Sequence, residues 1–403
     1  MKKLILLTLS VLSQYSFGQD NTLWQNSIPM TKVIEWRRHI HQNPELSFQE
    51  NKTSKYVADV LKSFGNIQVK QITKTSVIGI LKGNSPGKTV AFRADMDALP
   101  IQEETGLPYA SVNANVSHAC GHDSHTAMLL GTAYTLSKMQ KNLKGTVIFI
   151  FQHAEEKIPG GALDMIKTGE LDSIEAFFGL HVMPLPVGII GILPNGPAST
   201  ASDSFFLTIT GKSSHGSMPH LGVDPIVTGA ELVNNLQTIV SRNVQPGNLA
   251  VLTVGKFQSG NAPNVIPERA ELAATIRTTD PETRKLMETR IKSIVENTIK
   301  TNNASYQLDY VLGYPPIYND EKLNALAKAS AIKATGLDNV VDSPSITASE
   351  DFSYYKKIAP VCFVLLGVGN DAVNHNSKFT IDESAFLNGI KTEVQIILDF
   401  LNQ

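Results

Sequence analysis

A chain of 403 residues can bury a large core and is long enough for two domains of ordinary size. Hydrophobic residues make up 42% and the formal net charge is -2, so the chain reads as globular and no basic excess points to nucleic acid. No run of like charge marks a tail.

The first residues read as a signal peptide over 1–18. Lys2 and Lys3 give a positive start, Leu4 to Leu12 is an apolar stretch too short to span a bilayer, and Ser16-Phe17-Gly18 offers small residues at the minus-three and minus-one positions of a cleavage site. That pattern implies an exported, periplasmic or secreted protein. No cysteine follows the apolar stretch, so no lipid anchor is expected.

Beyond it, Gly and Pro divide the chain into alternating helices and strands. Thr31 to His41 and Asn51 to Phe64 read as helices, and Val77 to Leu81 and Thr89 to Ala94 as strands. Asp123 to Met139 is a helix with Ala127, Leu130, Ala133 and Tyr134 on one stripe. Thr146 to Phe151, Ala176 to Leu180 and Pro360 to Leu366 are continuous apolar runs typical of buried strands, and the last would bury Cys362 as an inert thiol. Ala385 to Leu401 closes the chain as a helix. Such alternation predicts a three-layer α/β/α domain over 19–199 and 314–403.

The middle of the chain has another rhythm. Ser204 to Thr210 is a strand, Asp224 to Val240 a helix, Leu249 to Phe257 and Glu271 to Thr278 strands, Pro281 to Ile299 a helix and Tyr306 to Leu312 a strand. This is the β-α-β-β-α-β order of the ferredoxin-like split motif, so 200–313 reads as an inserted α+β domain. Pro194 to Pro197 and Tyr314 to Pro316 would be its hinges.

The segment His118-Ala119-Cys120-Gly121-His122-Asp123-Ser124-His125 holds three of the 10 histidines, the side chains that bind zinc and its neighbours. Cys120 and His122 are two apart, and an extended loop would turn both to one side. A polar loop capped by Asp123 or Ser124 is the competing reading. Further donors fall at strand ends, where an open α/β sheet gathers a site: Glu155 and Glu156 after one strand, His181 at the end of another. In the Glu155-Glu156 pair one carboxylate can bind metal while the other acts as general base; the alternative is a solvated acidic turn. In the inserted domain, His215 in a Gly-flanked loop could donate to an oxyanion. Arg277 could grip a substrate carboxylate or pair with an acid of its own domain. His375 could close the metal sphere.

Together these motifs resemble the amidohydrolase branch of the aminoacylase/carboxypeptidase metallopeptidase family, which includes hippurate hydrolases, auxin-conjugate hydrolases and N-acetyl-diaminopimelate deacetylases. The resemblance runs from Arg37-Arg38-His39-Ile40-His41 and Arg93-Ala94-Asp95-Met96-Asp97 through the Cys120 segment, Glu155-Glu156, Gly160-Gly161 and His181. It continues through His215, Asn264-Val265-Ile266-Pro267, Ser349-Glu350-Asp351-Phe352 and His375. It implies that Cys120, His122, Glu156, His181 and His375 bind two divalent metal ions (zinc, manganese, nickel or cobalt) and that Glu155 is the general base. Arg93-Ala94-Asp95 stands where the wider family has His-X-Asp, so Asp95 is expected to orient the His122 imidazole from behind. His118 and His125 are expected to support or pack rather than ligate. Asn264 and Arg277 become candidates for holding the product carboxylate. The resemblance also implies a homodimer through the inserted domain, which acts as a lid and carries His215 to the neighbouring subunit's site. His153 stands where the branch has proline and is expected to affect substrate fit. The implied reaction is amide hydrolysis of N-acyl (N-acetyl, N-benzoyl or similar) amino acids. A metallo-dipeptidase or carboxypeptidase is the alternative within enzymes. A non-catalytic periplasmic metal- or ligand-binding protein is the alternative outside them, but it has no use for Glu155 beside Glu156.

Overall fold

The computed structural model describes residues 23–369 and 373–403; the segment read as a signal peptide lies outside them. Seven strands precede the inserted domain: β1 (Gln68–Gln71), β2 (Val77–Lys82), β3 (Ser85–Asp95), β4 (Lys144–Gln152), β5 (Ala176–Met183), β6 (Ile190–Ile192) and β7 (Gly196–Pro197). Helices α1 (Met30–Gln42), α2 (Asn51–Ser63), α3 (His122–Lys138) and α4 (Gly161–Lys167) lie among them. The inserted unit holds β8 (Ala201–Thr210), β9 (Ser214–His215), α5 (Pro225–Thr238), β10 (Ala250–Ser259), β11 (Val265–Ile266), β12 (Arg269–Thr278), α6 (Pro281–Thr301) and β13 (Ser305–Val311). The chain then returns through β14 (Tyr318–Asn319), α7 (Glu321–Thr335), β15 (Val340–Asp342), β16 (Val361–Gly367) and α8 (Phe386–Leu401).

The large sheet runs β1-β2-β4-β3-β5-β16-β14-β7, with β6 pairing β16 and β15. Its centre is parallel: β3 pairs β4 on one side and β5 on the other, and β16 follows β5 in register, Cys362 beside Phe178. Every residue of β16 is buried, as its unbroken apolar run requires of a strand covered on both faces. One face is covered by α1, α3, α7 and α8, whose side chains share a core with Phe92, Phe149 and Phe178. Gly131 on α3 permits this close approach, since a Cβ there would meet Val33 of α1 and Ile390 of α8. Among the described residues, the opposite face carries α4 and a 3-10 segment, Asp351–Lys357, around Phe177, Phe352 and Phe363. The three layers are therefore unequal, the second helical layer being thin.

The inserted sheet is antiparallel, in the order β10-β12-β8-β13. Its strands alternate: along β8, Ala201, Asp203, Phe205, Leu207 and Ile209 are buried while their neighbours are not. Phe205, Leu207 and Ile209 pack on α5 and α6 in a separate core with Leu232, Leu236, Met287, Ile291 and Val295. The two connections to the large domain run side by side, the Ser202 N–H donating to the Tyr314 carbonyl at 3.1 Å and Ala198 N–H to Ile317 at 2.9 Å. Helix α7, not anticipated from the sequence, begins at an Asp320 cap whose side chain accepts from the Lys322 and Leu323 N–H groups.

Candidate active site

The carboxyl ends of β3, β4 and β5 lie together because β3 is flanked by the other two. Asp95 ends β3, Glu155 and Glu156 follow β4, and His181 lies near the end of β5. Cys120 and His122 do not reach the site from an extended loop, as expected, but around a turn. Gly121 takes φ 89°, caps α3, and leaves His122 as its first helical residue. Any side chain at 121 would collide with Val182 Cγ2. His375 joins from the segment after β16, its N–H donating to the Ala119 carbonyl at 2.7 Å.

The donor atoms of Cys120, His122 and His181 lie within 4.8 Å of one another, as do those of Cys120, Glu156 and His375, and of His122, Glu155 and Glu156. Cys120 is common to the first two groups. The His122 Nδ1 faces the Asp97 carbonyl at 2.9 Å and the His181 Nδ1 the Val182 carbonyl at 2.7 Å. Each backbone acceptor fixes an Nδ1–H and turns Nε2 toward the cluster. His122 Nε2 is buried without any hydrogen-bond partner, and Glu156 Oε1, also buried, has only the His375 Nε2 beside it at 3.3 Å. Orphaned buried atoms of this kind, beside a thiol, are what a divalent metal would satisfy, and the donor set suits zinc-like ions. Burial, then the nearby His125, holds His181 well below the usual imidazole range, in the neutral form a ligand needs. Burial opposes a charged His122, yet Asp95 and Cys120 pull its proton affinity upward.

Behind the donors the pattern departs from expectation. Asp95 hydrogen-bonds His125 at 2.7 Å and stays 3.7 Å from His122 Nε2, so it orients His125 instead of His122. His125 in turn accepts the Val182 N–H at 2.9 Å, tying α3 to the strand that carries His181. Asp97 does the work expected of Asp95. Besides contacting His122, its two oxygens accept the N–H groups of Glu155 and Glu156, each at 3.0 Å. Asp123 is not a cap either: it accepts from Arg37 at 2.6 Å and pairs with His41 at 2.8 Å. His118 is buried with neither ring nitrogen bonded, and burial lowers it to about 4, leaving it neutral.

The loop bearing the two glutamates is held at almost every peptide group. Ala154, at φ 51°, gives its N–H to Glu50 at 2.8 Å and its carbonyl to Gly161 N–H at 3.0 Å. The Glu155 carbonyl accepts the Tyr314 hydroxyl at 2.7 Å. Burial, then the carboxylates of Glu350 and Glu156, lifts Glu155 well above the usual carboxyl range. His153 does not line the cavity: its Nδ1 lies 2.5 Å from the Ser76 hydroxyl and its ring is edge-on to Phe48, so it supports the loop.

A cavity of about 370 Å³ opens beside Cys120, Glu155, Glu156, His181 and His375, with Ile158, Met183, Ile346 and Phe363 among its apolar walls. The inserted domain contributes Ser202 and Arg277 to it. Arg277 makes no salt bridge among the described residues; its guanidinium is spent only on the Thr275 hydroxyl and the Ile276 carbonyl. His215 and Asn264 are not brought to this cavity by their own chain. His215 sits on a two-stranded ribbon, β9 against β11, exposed and held by Ser217 at 2.8 Å, and Asn264 immediately precedes β11. The oxyanion and carboxylate contacts expected of them are therefore not made within one subunit. Asp97, Glu50 and Tyr314 support the base, and no sequence motif marks them for that role.

Thiolate, imidazole and carboxylate donors at the strand ends of an α/β sheet, beside a carboxyl not needed as a ligand, define a metal-dependent hydrolase. The chain belongs to peptidase family M20/M25/M40, whose model matches residues 91–399. It is 48% identical over 290 residues to an N-acyl-L-amino acid amidohydrolase of Geobacillus stearothermophilus, covering 72% of this chain and 78% of that one. It is 43% identical to an N-acetyl-L-cysteine deacetylase of Bacillus subtilis, covering 88% and 85%. A solved Bacillus subtilis structure, described as a dinuclear metal binding peptidase of the M20 family, superposes with a TM-score of 0.80 at 35% identity over 93% of this chain and 98% of that one.

Proposed function

We infer that the protein hydrolyses the amide bond of N-acyl amino acids, releasing a carboxylic acid and an amino acid. One observation carries this reading: Glu156 Oε1 lies inside the donor cluster, 3.3 Å from His375 Nε2 and 3.8 Å from His122 Nε2, with a second carboxylate, Glu155, directly beside it to serve in proton transfer. Cys120, His122, Glu156, His181 and His375 would hold two divalent cations, with Cys120 common to both donor groups. Bound there, such cations supply Lewis acidity toward the amide carbonyl and make water more acidic.

The chain's own groups do the rest. Arg277, an unpaired cation on the cavity wall, takes the substrate's carboxylate. Glu155 removes a proton from the attacking water as the oxygen bonds to the acyl carbon. It returns that proton to nitrogen as the C–N bond breaks. Asp97, Glu50 and Tyr314 keep its backbone from shifting during the transfer.

Replacing Glu155 by Gln should lower kcat by about 10²–10⁴-fold with metal content unchanged, the range for a lost general base. A variant that keeps more than about a tenth of wild-type turnover removes Glu155 from that role.

We further propose a homodimer through the lid. Its edge strand β10 and helix α5 expose Val251, Phe257, Ile226 and Val227, which a second copy would cover and which would carry His215 toward the partner's cavity. Sedimentation should give a dimer, and a monomer with full activity refutes this. The 1–18 segment supports export, which is checked by the N-terminal sequence of the mature protein. No helix among the described residues is long and apolar enough to cross a membrane.

A further inference from the structure

Two acids beside the base, Glu350 and Asp351, differ in what they have left to offer. Both are fully buried in the fold and both meet the guanidinium of Arg93, Glu350 through Oε1 at 2.9 Å and Asp351 through Oδ1 at 2.9 Å. Asp351 is then saturated. Its Oδ1 also accepts from Gln152, and its Oδ2 accepts from Gln152 and from the Ala162 N–H at 2.9 Å. It does not line the cavity. Glu350 is different: its bonds to Arg93 and to the Phe352 N–H both fall on Oε1. Oε2 has no partner among the described residues, and Glu350 lines the cavity. Its carboxylate also lies within 4.8 Å of that of Glu155.

A fixed acceptor so close to Glu155 would meet the atom to which Glu155 delivers its proton, the amide nitrogen. Arg277, on the lid, faces the same cavity. A donor for the carboxylate and an acceptor for the nitrogen on its α-carbon are the two handles an N-acyl amino acid presents. We propose that Glu350 accepts the N–H of the scissile amide and then the hydrogens of the departing amino group. Arg93 and the Phe352 N–H lock Oε1, so the free oxygen cannot turn away. This rests on the amidohydrolase reading above.

The test compares an N-acyl amino acid with the ester in which oxygen replaces the N–H, using Glu350→Gln. In that variant Arg93 keeps an oxygen acceptor, and the new NH2 group is left to face the substrate N–H. The amide kcat/KM should fall about 10- to 100-fold, the worth of a hydrogen bond to a charged group. The ester, having no N–H, should stay within about threefold of wild type. Metal content should be unchanged. Glu350→Asp, which preserves the charge beside Arg93 but withdraws the oxygen, should show the same preference and stands in if the Gln variant does not fold. Parallel losses on amide and ester, or no loss on the amide, overturn the role of Glu350. Failure of the unaltered, metal-loaded protein to cleave any N-acyl amino acid overturns the amidohydrolase reading instead.

Discussion

Glu393 gives a stability prediction whose sign and size follow from its surroundings. It lies on α8 facing α3, is 2% exposed, and accepts one side-chain hydrogen bond, from Thr132 at 2.5 Å. No cation pairs with it among the described residues, and burial pushes its carboxyl from 4.5 up to about 8. In the unfolded chain the proton leaves near 4.5; in the folded protein it stays until about 8. Between these values the folded state binds the extra proton, so stability is greatest below the lower value and falls as pH rises through the window. The slope is about 1.4 kcal/mol per pH unit, which sums to ~5 kcal/mol across the window, an upper bound if the helix pair relaxes to admit water. Glu393→Gln removes the titration while keeping an acceptor for Thr132. At pH 5 the variant should match wild type within about 1 kcal/mol, and at pH 8 it should be more stable by several kcal/mol. Urea unfolding at a series of pH values reads this directly, because Trp24 and Trp36 lie in the same core as α3 and α8. Taking the difference between the two proteins cancels every other titrating group. Curves that stay parallel from pH 5 to pH 8 would show that Glu393 ionises as freely when folded as when unfolded, and the reasoning would fail.

Two further outcomes concern the site. Gly121→Ala should reduce the metal retained per chain after dialysis. It places a Cβ where φ is 89°, costing about 1–2 kcal/mol, and drives it into Val182 beside His181. Full metal content in a folded variant contradicts the turn as the device that brings Cys120 and His122 together. Arg277→Ala should raise KM about tenfold or more for substrates with a free carboxylate and leave those with an amidated carboxyl unaffected. Equal effects on both classes would remove Arg277 from carboxylate binding.

How far the sequence could be read depended on whether a feature is carried by residue type or by register. The donors were legible because thiol, imidazole and carboxylate are rare as a set and fell at the ends of apolar runs. Their supports were harder. Arg93, Asp95 and Asp97 alternate along the extended chain and share one side, so parity alone could not tell which acid meets which imidazole. The neighbours decide it. α3 starts at His122, one residue before the predicted start, because Gly121 can adopt a left-handed turn. That start sets His122 over Asp97 and His125 over Asp95. Helix α7 went unread although Asp320 caps it, because its run of Ala, Lys and Ser carries a weak apolar stripe and owes its place to packing on α8. His215 shows the converse case. A Gly-flanked histidine looked like part of the site, yet β9 pairs with β11 on the surface of the inserted domain, away from the cavity of its own chain. Glu350 joins both lessons: the sequence carries it only inside the Ser349-Glu350-Asp351-Phe352 segment, without a role, and the saturation of Asp351 by Gln152, Arg93 and Ala162 shows which of the two adjacent carboxylates keeps a free oxygen on the cavity wall.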